Sequence, residues 1–338
     1  MTAIRPLPTG APPLVDIRGL RIGIGRGRSE PMIVVDDATF KVGRGEMLGL
    51  IGESGSGKTM VCRSLIGTLH RRGARILSGT IRLGDVDLAQ GDEAIWRSIR
   101  GRRVGYVPQS ALAGLNPVMT VGAQLAEAIR QSPDAKAGST PARAKELLEV
   151  VCIRRPEIVL KQHPNQLSGG MRQRVMIACA IAAGPEVLVA DEPTTGLDVT
   201  VQAEIMKLLR GIRAEMGTSI ILVSHDLALV DDVCDRVVVM HAGTCVESGP
   251  VEEMARPLHP YTRALNRSRI ELAAPGSELV TIKGQPPAVG AWPPGCRFAG
   301  RCEIVQPDCL SGKHPPLFGE EDGHRTACLH PNLMESAS

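Results

Sequence analysis

A glycine-rich segment directly after an apolar run is the feature that most restricts the fold of this 338-residue chain. Met47–Ile51 reads as a buried strand, Gly52–Thr59 (GESGSGKT) as a loop and Thr59–Leu69 as the helix that follows. The glycines of such a loop let successive backbone N–H groups turn inward around anionic oxygens, next to the positive end of the helix. The sequence therefore predicts a phosphate-binding loop.

The expected contacts of this loop with a nucleotide come from Gly52, Glu53, Ser54, Gly55, Ser56, Gly57, Lys58 and Thr59. Lys58 would reach the β- and γ-phosphates, and the hydroxyl of Thr59 would be a ligand of Mg²⁺.

An acidic pair ends a second apolar run, Glu186–Glu192 (EVLVADE). A buried strand would present both carboxylates at its end. Asp191 is then suited to hold Mg²⁺, usually through water, and Glu192 to act as the base that polarises an attacking water. Two solvated acids at a capped strand end are the local alternative, but the phosphate loop upstream favours the nucleotide interpretation.

Between these motifs lies Leu167–Arg174 (LSGGMRQR), which begins a helix. The hydroxyl of Ser168 and the backbone N–H groups of Gly169 and Gly170 suit a γ-phosphate, because helix N-termini attract anions. A serine N-cap explains this segment locally but does not explain the order of the three motifs.

That order, a phosphate loop, then LSGG, then an acidic strand end, resembles the ATP-binding cassette (ABC) ATPases over roughly residues 14–265. The resemblance implies ATP and Mg²⁺ as cofactors. It also implies that the γ-phosphate contacted by Ser168, Gly169 and Gly170 belongs to an opposite subunit. Asp198, at the end of a TGLD segment, would then lie on the loop that crosses the dimer interface.

The resemblance assigns roles to three more residues. Gln109, after Pro108, would contact Mg²⁺ or the attacking water, and its loop would sense a membrane partner. His225 matches the family's switch histidine, which hydrogen-bonds the γ-phosphate. Ile24 falls where family members usually carry an aromatic residue that stacks on adenine, so selectivity for ATP over GTP is left open. A nucleophilic triad at 224–226 is rejected, because adjacent residues cannot adopt a triad's geometry.

Alternating strands and helices predict an α/β fold with a parallel sheet. The expected strands are 187–190, 219–223 and 236–240, and the expected helices are 200–216 and 226–233. Residues 115–184 have a helical pattern, with Thr120 as an N-cap. The resemblance implies a RecA-like parallel core, an antiparallel β subdomain and this helical insertion.

Two domain boundaries are expected, the second of them because Pro, Gly and Cys rise beyond residue 274. They divide the chain into a flexible N-terminus at 1–13, an ABC nucleotide-binding domain at 14–274 and a small irregular, cysteine-rich C-terminal extension at 275–338.

Composition places the chain among globular proteins without a membrane span of their own. Apolar residues make up 43% of it, enough for a substantial core. The net charge is +3 and aromatic residues make up 2%, so few side chains could stack on bases and nucleic-acid binding is disfavoured. We see neither a secretory signal nor an uninterrupted apolar run of about 18 residues. Any membrane role is therefore expected to come through a partner.

Four segments resemble the oligopeptide/dipeptide (peptide/nickel) permease branch of the family. They are Leu115–Val121 (LNPVMTV), Asp191–Thr200 (DEPTTGLDVT), His259–Thr262 (HPYT) and Pro293–Phe298 (PPGCRF). The resemblance implies the ATPase subunit of an importer, paired with a second ABC ATPase as a homo- or heterodimer. It further implies two membrane permeases, a periplasmic or extracellular substrate-binding protein that acts indirectly, and a peripheral position at the cytoplasmic face of the inner membrane.

The transported substrate is not encoded in such a subunit, so peptides, nickel chelates, glutathione and short sugars stay open. A soluble ABC-fold regulator or a nucleic-acid-linked ATPase is the alternative function.

Nine cysteines form two groups. Cys62, Cys152, Cys179, Cys234 and Cys245 have apolar neighbours and are expected to be small buried hydrophobes. Cys296, Cys302, Cys309 and Cys328 are spaced C-x5-C-x6-C-x18-C in the extension. Four thiolates suit a 4Fe–4S cluster or Zn²⁺, and the absence of a C-x2-C pair favours the cluster. A mixed zinc site with His314, His324 or His330, and free thiols, are the alternatives.

Overall fold

The computed structural model describes residues 12–25, 30–132, 140–269, 281–321 and 323–333. Most of the expected flexible N-terminus and the boundary expected near residue 274 lie outside these ranges. The chain forms two compact units. The first contains Val42–Met47 and Gln90–Val223; the second contains Leu14–Lys41, Leu48–Ala89 and the described residues from Ser224 onward.

The strands and helices have the following bounds. The strands are β1 (Val15–Ile24), β2 (Met32–Val42), β3 (Met47–Ile51), β4 (Ala74–Leu83), β5 (Val86–Asp87), β6 (Val104–Val107), β7 (Val187–Asp191), β8 (Ser219–Ser224), β9 (Arg236–His241), β10 (Thr244–Pro250) and β11 (Arg325–Thr326). The α-helices are α1 (Lys58–Leu65), α2 (Glu93–Ile99), α3 (Ala111–Gly114), α4 (Val121–Ile129), α5 (Thr140–Val150), α6 (Pro156–Val159), α7 (Gly169–Ile181), α8 (Val199–Met216), α9 (Leu227–Val233) and α10 (Pro260–Arg267). Short 3-10 helices cover Leu69–Arg72, Pro164–Gln166, Val251–Ala255, Ala299–Arg301 and Pro307–Leu310.

The first unit is built on three parallel strands, with β7 between β6 and β8. Every residue of β7 and β8 is buried, which is why these segments read as continuous apolar runs. Helices α4 to α7 make up the predicted helical insertion. Thr120 caps α4 as predicted, accepting a hydrogen bond of 3.3 Å from the backbone N–H of Ala123. Because β6 and β7 are parallel, both end at the same edge, where Gln109 and the acidic pair follow them.

The second unit combines parallel and antiparallel pairing. Strand β3 runs parallel to β9, and β9 forms a hairpin with β10 through a turn at Ala242 and Gly243, both with positive φ. A separate antiparallel sheet has the order β2-β1-β4-β5. The predicted helix 59–69 is shorter than expected, because Gly67 adopts a φ of 61° after α1 has ended at Leu65.

The described C-terminal residues, 281–321 and 323–333, belong to the second unit, where a buried acid and an added strand hold them. Strand β11 pairs antiparallel with β10. Glu247 on β10 is fully buried, and its carboxylate accepts hydrogen bonds from the backbone N–H groups of Leu258 (2.6 Å) and His259 (3.0 Å). The ring of His324 lies 2.6 Å from the same carboxylate. Within the described residues, no helix is both long and apolar enough to cross a membrane.

The prediction that five scattered cysteines are buried is wrong for Cys152. Its side chain is exposed and its φ is 59°. Cys152 ends α5 in a Schellman arrangement, in which its N–H donates to Glu149 and the N–H of Ile153 donates to Leu148. This left-handed cap turns the side chain outward. Cys62, Cys234 and Cys245 are buried as predicted, and Cys179 is half-buried.

Candidate functional site

The glycines of the phosphate loop have conformations that other residues rarely adopt. Gly52 has a φ of 148° and Gly57 a φ of 103°. A Cβ on Gly52 would overlap with the carbonyl oxygen of Met240, so this position excludes a side chain. Gly57 precedes α1, and its carbonyl accepts the N–H groups of Met60 and Val61. The loop thus ends on the first turn of a helix, with the backbone geometry expected for anion binding.

Lys58 lies inside this loop. Its side chain is 4% exposed, and the ammonium donates to the carbonyl oxygens of Gly52 at 2.6 Å and Glu53 at 3.0 Å. The ammonium charge of Lys58 therefore lies against the backbone carbonyl groups of the loop. Thr59 follows in the first turn of α1.

The acidic pair at the end of β7 has two different environments. Asp191 is 2% exposed, and its Oδ2 accepts a hydrogen bond of 3.0 Å from the hydroxyl of Tyr106. Glu192 has a φ of 49°, unusual for this residue type and a sign of local strain. Its Oε2 accepts hydrogen bonds from Gln109 Nε2 at 2.8 Å and Thr195 Oγ1 at 3.0 Å. The structure thus joins Gln109 to Glu192, two residues assigned to hydrolysis by the sequence.

His225 follows β8 and is exposed. The side chains on either side of His225 make hydrogen bonds to the nearby backbone. Ser224 Oγ donates to the carbonyl of Asp226 at 3.1 Å, and the carboxylate of Asp226 caps α9 by accepting the N–H of Ala228 at 2.8 Å. This geometry fits the rejection of a nucleophilic triad at these positions. Ile24 ends β1 and is half-buried.

The LSGG segment and the TGLD segment lie side by side in the first unit. Ser168 caps α7 by accepting the N–H of Met171 at 3.3 Å, and Asp198 caps α8 by accepting the N–H of Val201 at 2.9 Å. A Cβ on Gly170 would lie 2.9 Å from Val201 Cγ1, so glycine permits this close packing. Ser168 and Asp198 are both exposed, and so is the first residue of α8, Val199, whose side chain is 81% exposed.

The four C-terminal cysteines, Cys296, Cys302, Cys309 and Cys328, line one small cavity of about 20 Å³, together with His259 and His330. Cys309 is buried and the other three are half-buried. Burial raises the pKa of the Cys328 thiol to about 11, and the neighbouring thiols add to the effect. The backbone N–H of His330 donates to Cys328 Sγ at 3.4 Å.

A second group of potential metal ligands partly overlaps this one. Among the described residues, the ligand atoms of Asp308, Cys309 and His330 lie within 4.8 Å of one another.

Tyr106, Thr195, Tyr261 and Arg301 were missed by sequence reasoning. Tyr106 and Thr195 contact the acidic pair, as described above. Arg301 makes two hydrogen bonds to the carboxylate of Glu53, and Tyr261 Oη accepts the N–H of Glu53 at 2.8 Å. Tyr106 lies on β6, next to the strand that was predicted to end in two acids. Its position in that neighbouring strand is a sequence feature that could have indicated the contact. No pattern in the sequence indicates the contacts of Arg301.

Comparisons with known proteins agree with the fold. A family model for ABC transporters matches residues 35–195, and a model for the oligopeptide/dipeptide transporter C-terminal region matches residues 246–309. The chain is 40% identical over 317 residues to the oligopeptide transport ATP-binding protein AppD of Bacillus subtilis, covering 94% of this chain and 96% of AppD.

Two solved structures are similar to the chain. The dimeric bacterial ABC transporter cassette MJ0796 matches with a TM-score of 0.61 and 25% identity, covering 70% of this chain and 98% of that one. CbiO1 of Clostridium perfringens, part of the ABC transporter complex cbiONQ, matches with a TM-score of 0.61 and 26% identity, covering 72% and 90%. These matches confirm the ABC cassette fold. The chain therefore belongs to the ABC transporter family, in the branch of the oligopeptide/dipeptide ATP-binding subunits, and is an ATP-hydrolysing transport ATPase.

Proposed function

We propose that this protein couples ATP hydrolysis to peptide import through membrane permease partners. The observation that carries the proposal is the 2.8 Å hydrogen bond between Gln109 Nε2 and Glu192 Oε2. It joins the carboxylate expected to polarise water to Gln109, which is connected through the short helix α3 to the segment 115–121. A shift of that segment would therefore move a group bonded to Glu192.

The roles in the chemistry follow the residue types. Lys58 binds the β- and γ-phosphates, and Thr59 and Asp191 hold Mg²⁺, with Gln109 as a further contact. Glu192 accepts a proton from the attacking water, and His225 hydrogen-bonds the γ-phosphate. The backbone of Gly52–Gly57 binds the phosphate oxygens, and Ile24 offers an aliphatic surface to the base. Mg²⁺ supplies charge neutralisation when it is bound.

A second ABC ATPase subunit completes the proposed site. Ser168 with the N–H groups of Gly169 and Gly170 contacts the γ-phosphate held by the partner, and Asp198 lies at the same interface. The exposure of Ser168 and Asp198, and the 81% exposure of Val199 beside them, support this role. The similar cassette MJ0796 is dimeric.

Membrane permeases are the proposed second class of partner, with a substrate-binding protein acting through them. Val118 is 81% exposed and lies in the segment 115–121. An apolar side chain so exposed, beside the Gln109 loop, suits a protein contact. AppD is named for oligopeptide transport, and on that basis we propose peptides as the substrate class. The subunit would then work at the cytoplasmic face of the inner membrane as a peripheral protein.

We also propose a structural metal site at Cys296, Cys302, Cys309 and Cys328, in a C-terminal extension at 275–338 that follows a nucleotide-binding domain at 14–274. The proposal is supported by the position of the four cysteines, which line one small cavity. Their thiols must lose protons on binding. A 4Fe–4S cluster is the favoured group, with Zn²⁺ as the alternative. The bound group would join separate parts of a segment with few apolar residues of its own.

Co-expression with the two membrane permeases of a peptide importer from the same organism tests the transport proposal. We expect the protein to co-purify with them, and Val118→Asp to lower both co-purification and peptide uptake at least about tenfold while leaving ATP binding intact. Ile158→Asp is the matched control, since Ile158 is also an exposed apolar residue of the first unit. Unchanged uptake in Val118→Asp would remove this surface from the proposal. Failure of the wild type to associate with any permease would favour a soluble regulator.

A further inference from the structure

Glu53 places a carboxylate inside a loop that binds a polyanion. A negative side chain next to a triphosphate is unfavourable by Coulomb's law unless another group neutralises it. The structure shows the neutralising group. Arg301 donates from Nη1 to Glu53 Oε2 at 2.7 Å and from Nη2 to Oε1 at 2.9 Å, a two-point contact of the kind that fixes both partners.

Arg301 is itself held in place by the C-terminal extension. Its side chain is 6% exposed, and its Nε donates to the carbonyl of Lys283 at 3.0 Å. Its backbone N–H donates to Phe298 at 2.9 Å within a short 3-10 helix, and its guanidinium lies 5.5 Å from the centre of the Phe298 ring. The guanidinium is therefore held against Glu53 by contacts with Lys283 and Phe298.

The backbone of Glu53 is held by Tyr261, a residue of α10 that packs against Phe298. Its N–H donates to Tyr261 Oη at 2.8 Å, and the Tyr261 ring packs on Phe298 with ring centroids 5.4 Å apart. The carbonyl of Glu53 in turn accepts the ammonium of Lys58. Residues of the extension and of α10 thus hold both the side chain and the amide of one phosphate-loop residue.

The charge on Glu53 persists near neutral pH. Burial acts to raise the pKa of its carboxyl group, but the hydrogen bonds and charge of Arg301 outweigh burial and hold the pKa below its ordinary value. Without Arg301, the loop would keep an acidic group with no guanidinium to balance it.

We propose that Arg301 is a positioning residue for nucleotide binding, which neutralises and orients Glu53 so that the phosphate loop accepts a triphosphate. The proposal rests on the proposed function of Gly52–Thr59 as the phosphate loop. It makes the C-terminal extension a contributor to ATP affinity.

Calorimetric titration of the full chain with Mg-ATP and Mg-ADP tests the proposal. We expect Arg301→Ala to weaken ATP binding about tenfold and ADP binding less, because the repulsion from Glu53 grows with nucleotide charge. The double variant Arg301→Ala/Glu53→Gln should recover the wild-type ATP affinity within about threefold. A residue with a structural role alone would show neither the dependence on nucleotide charge nor the rescue.

Arg267→Ala is the matched control, because Arg267 also makes an ion pair with the extension, to Glu303 at 3.0 Å, but on an exposed surface. It should bind ATP as the wild type does.

If Arg301→Ala does not fold, the ATP affinity of the single variant Glu53→Gln tests the proposal instead. This variant leaves the guanidinium of Arg301 without its balancing carboxylate, so ATP affinity above that of the wild type supports the proposal, and affinity at or below that of the wild type overturns it. Wild-type affinity in folded Arg301→Ala, or no rescue by the second substitution, also overturns it. A wild-type protein that binds no nucleotide would instead refute the phosphate loop itself.

Discussion

Tyr106 donates its phenolic hydroxyl to Oδ2 of Asp191 at 3.0 Å, linking the carboxylate proposed to hold Mg²⁺ to a neighbouring strand. Tyr106 lies on β6 and Asp191 ends β7, and the parallel register pairs Tyr106 with Val189. A buried carboxylate with such a partner has its orientation set before any ion arrives.

Tyr106→Phe removes this hydrogen bond while keeping the ring. We expect the Mg²⁺ concentration for half-maximal ATP hydrolysis to rise about tenfold, because outer partners orient metal ligands. The free energy of unfolding should fall by about 1 kcal/mol. A Mg²⁺ titration of hydrolysis and urea unfolding measure the two effects, and ATP binding in EDTA should not change. An unaltered Mg²⁺ dependence would separate Tyr106 from the metal site.

Gly52→Ala should disrupt the phosphate loop. The new Cβ would overlap with the carbonyl of Met240 on β9, and a backbone carbonyl cannot move aside easily. We expect a loss of about 2 kcal/mol or more in the free energy of unfolding and a large loss of ATP affinity. Gly211→Ala is the control, since no atom lies within 4 Å of its Cβ position in α8, and it should be neutral or stabilising. Equal effects at the two positions would contradict this account.

Because His241 is buried, we expect the free energy of unfolding to depend on pH. Burial lowers the pKa of His241 to about 4, the charge of Glu53 opposes this shift, and the charge of Arg301 adds to it. The folded state therefore takes up the proton less readily than the unfolded state. The contribution of neutral His241 to the free energy of unfolding is fully present above its ordinary pKa of 6.5. This contribution is lost as the pH falls from about 6.5 towards 4.

Removing His241 isolates its share of that loss. His241→Phe keeps a ring beside Tyr261 and Phe298, and between pH 7 and pH 4 it should lose about 3 kcal/mol less unfolding free energy than the wild type. Urea unfolding across this range measures the difference. His70→Asn, at an exposed histidine, should follow the wild-type curve. Coincident curves for His241→Phe and the wild type would refute a neutral buried His241.

Anaerobic purification tests the cysteine site. We expect a brown protein with iron and acid-labile sulfide in equal amounts, and we expect Cys296→Ser to lose both. Cys152→Ser, at an exposed cysteine of the other unit, should keep them. A colourless protein with bound zinc would reject the cluster and leave a zinc site, whereas a metal-free protein would leave only free thiols.

Much of the core could be predicted from the sequence because its strands are buried on both faces. The runs at 187–190, 219–223 and 236–240 correspond to β7, β8 and β9 within one residue at each end. The helix α10 and the strand β11 were not predicted. Strand β11 has two residues and depends on pairing with β10, which local patterns cannot indicate.

The site shows the same division between local and distant contacts. The phosphate-loop residues and the acidic pair are each contiguous in sequence, so local patterns are enough to predict them. The partners of these residues lie far away in sequence: Tyr106 is 85 positions from Asp191, and Arg301 is 248 positions from Glu53. Such pairs depend on tertiary packing and carry no spacing rule.

ATP binding and phosphate release measured on the same preparation of Glu192→Gln test the central claim most directly. The account predicts that ATP affinity changes by less than about threefold while phosphate release falls at least about 100-fold, because the amide cannot accept the proton. Glu157→Gln, at an exposed glutamate paired only with a surface lysine in the described structure, is the control and should turn over normally. Hydrolysis at the wild-type rate in Glu192→Gln would contradict the account.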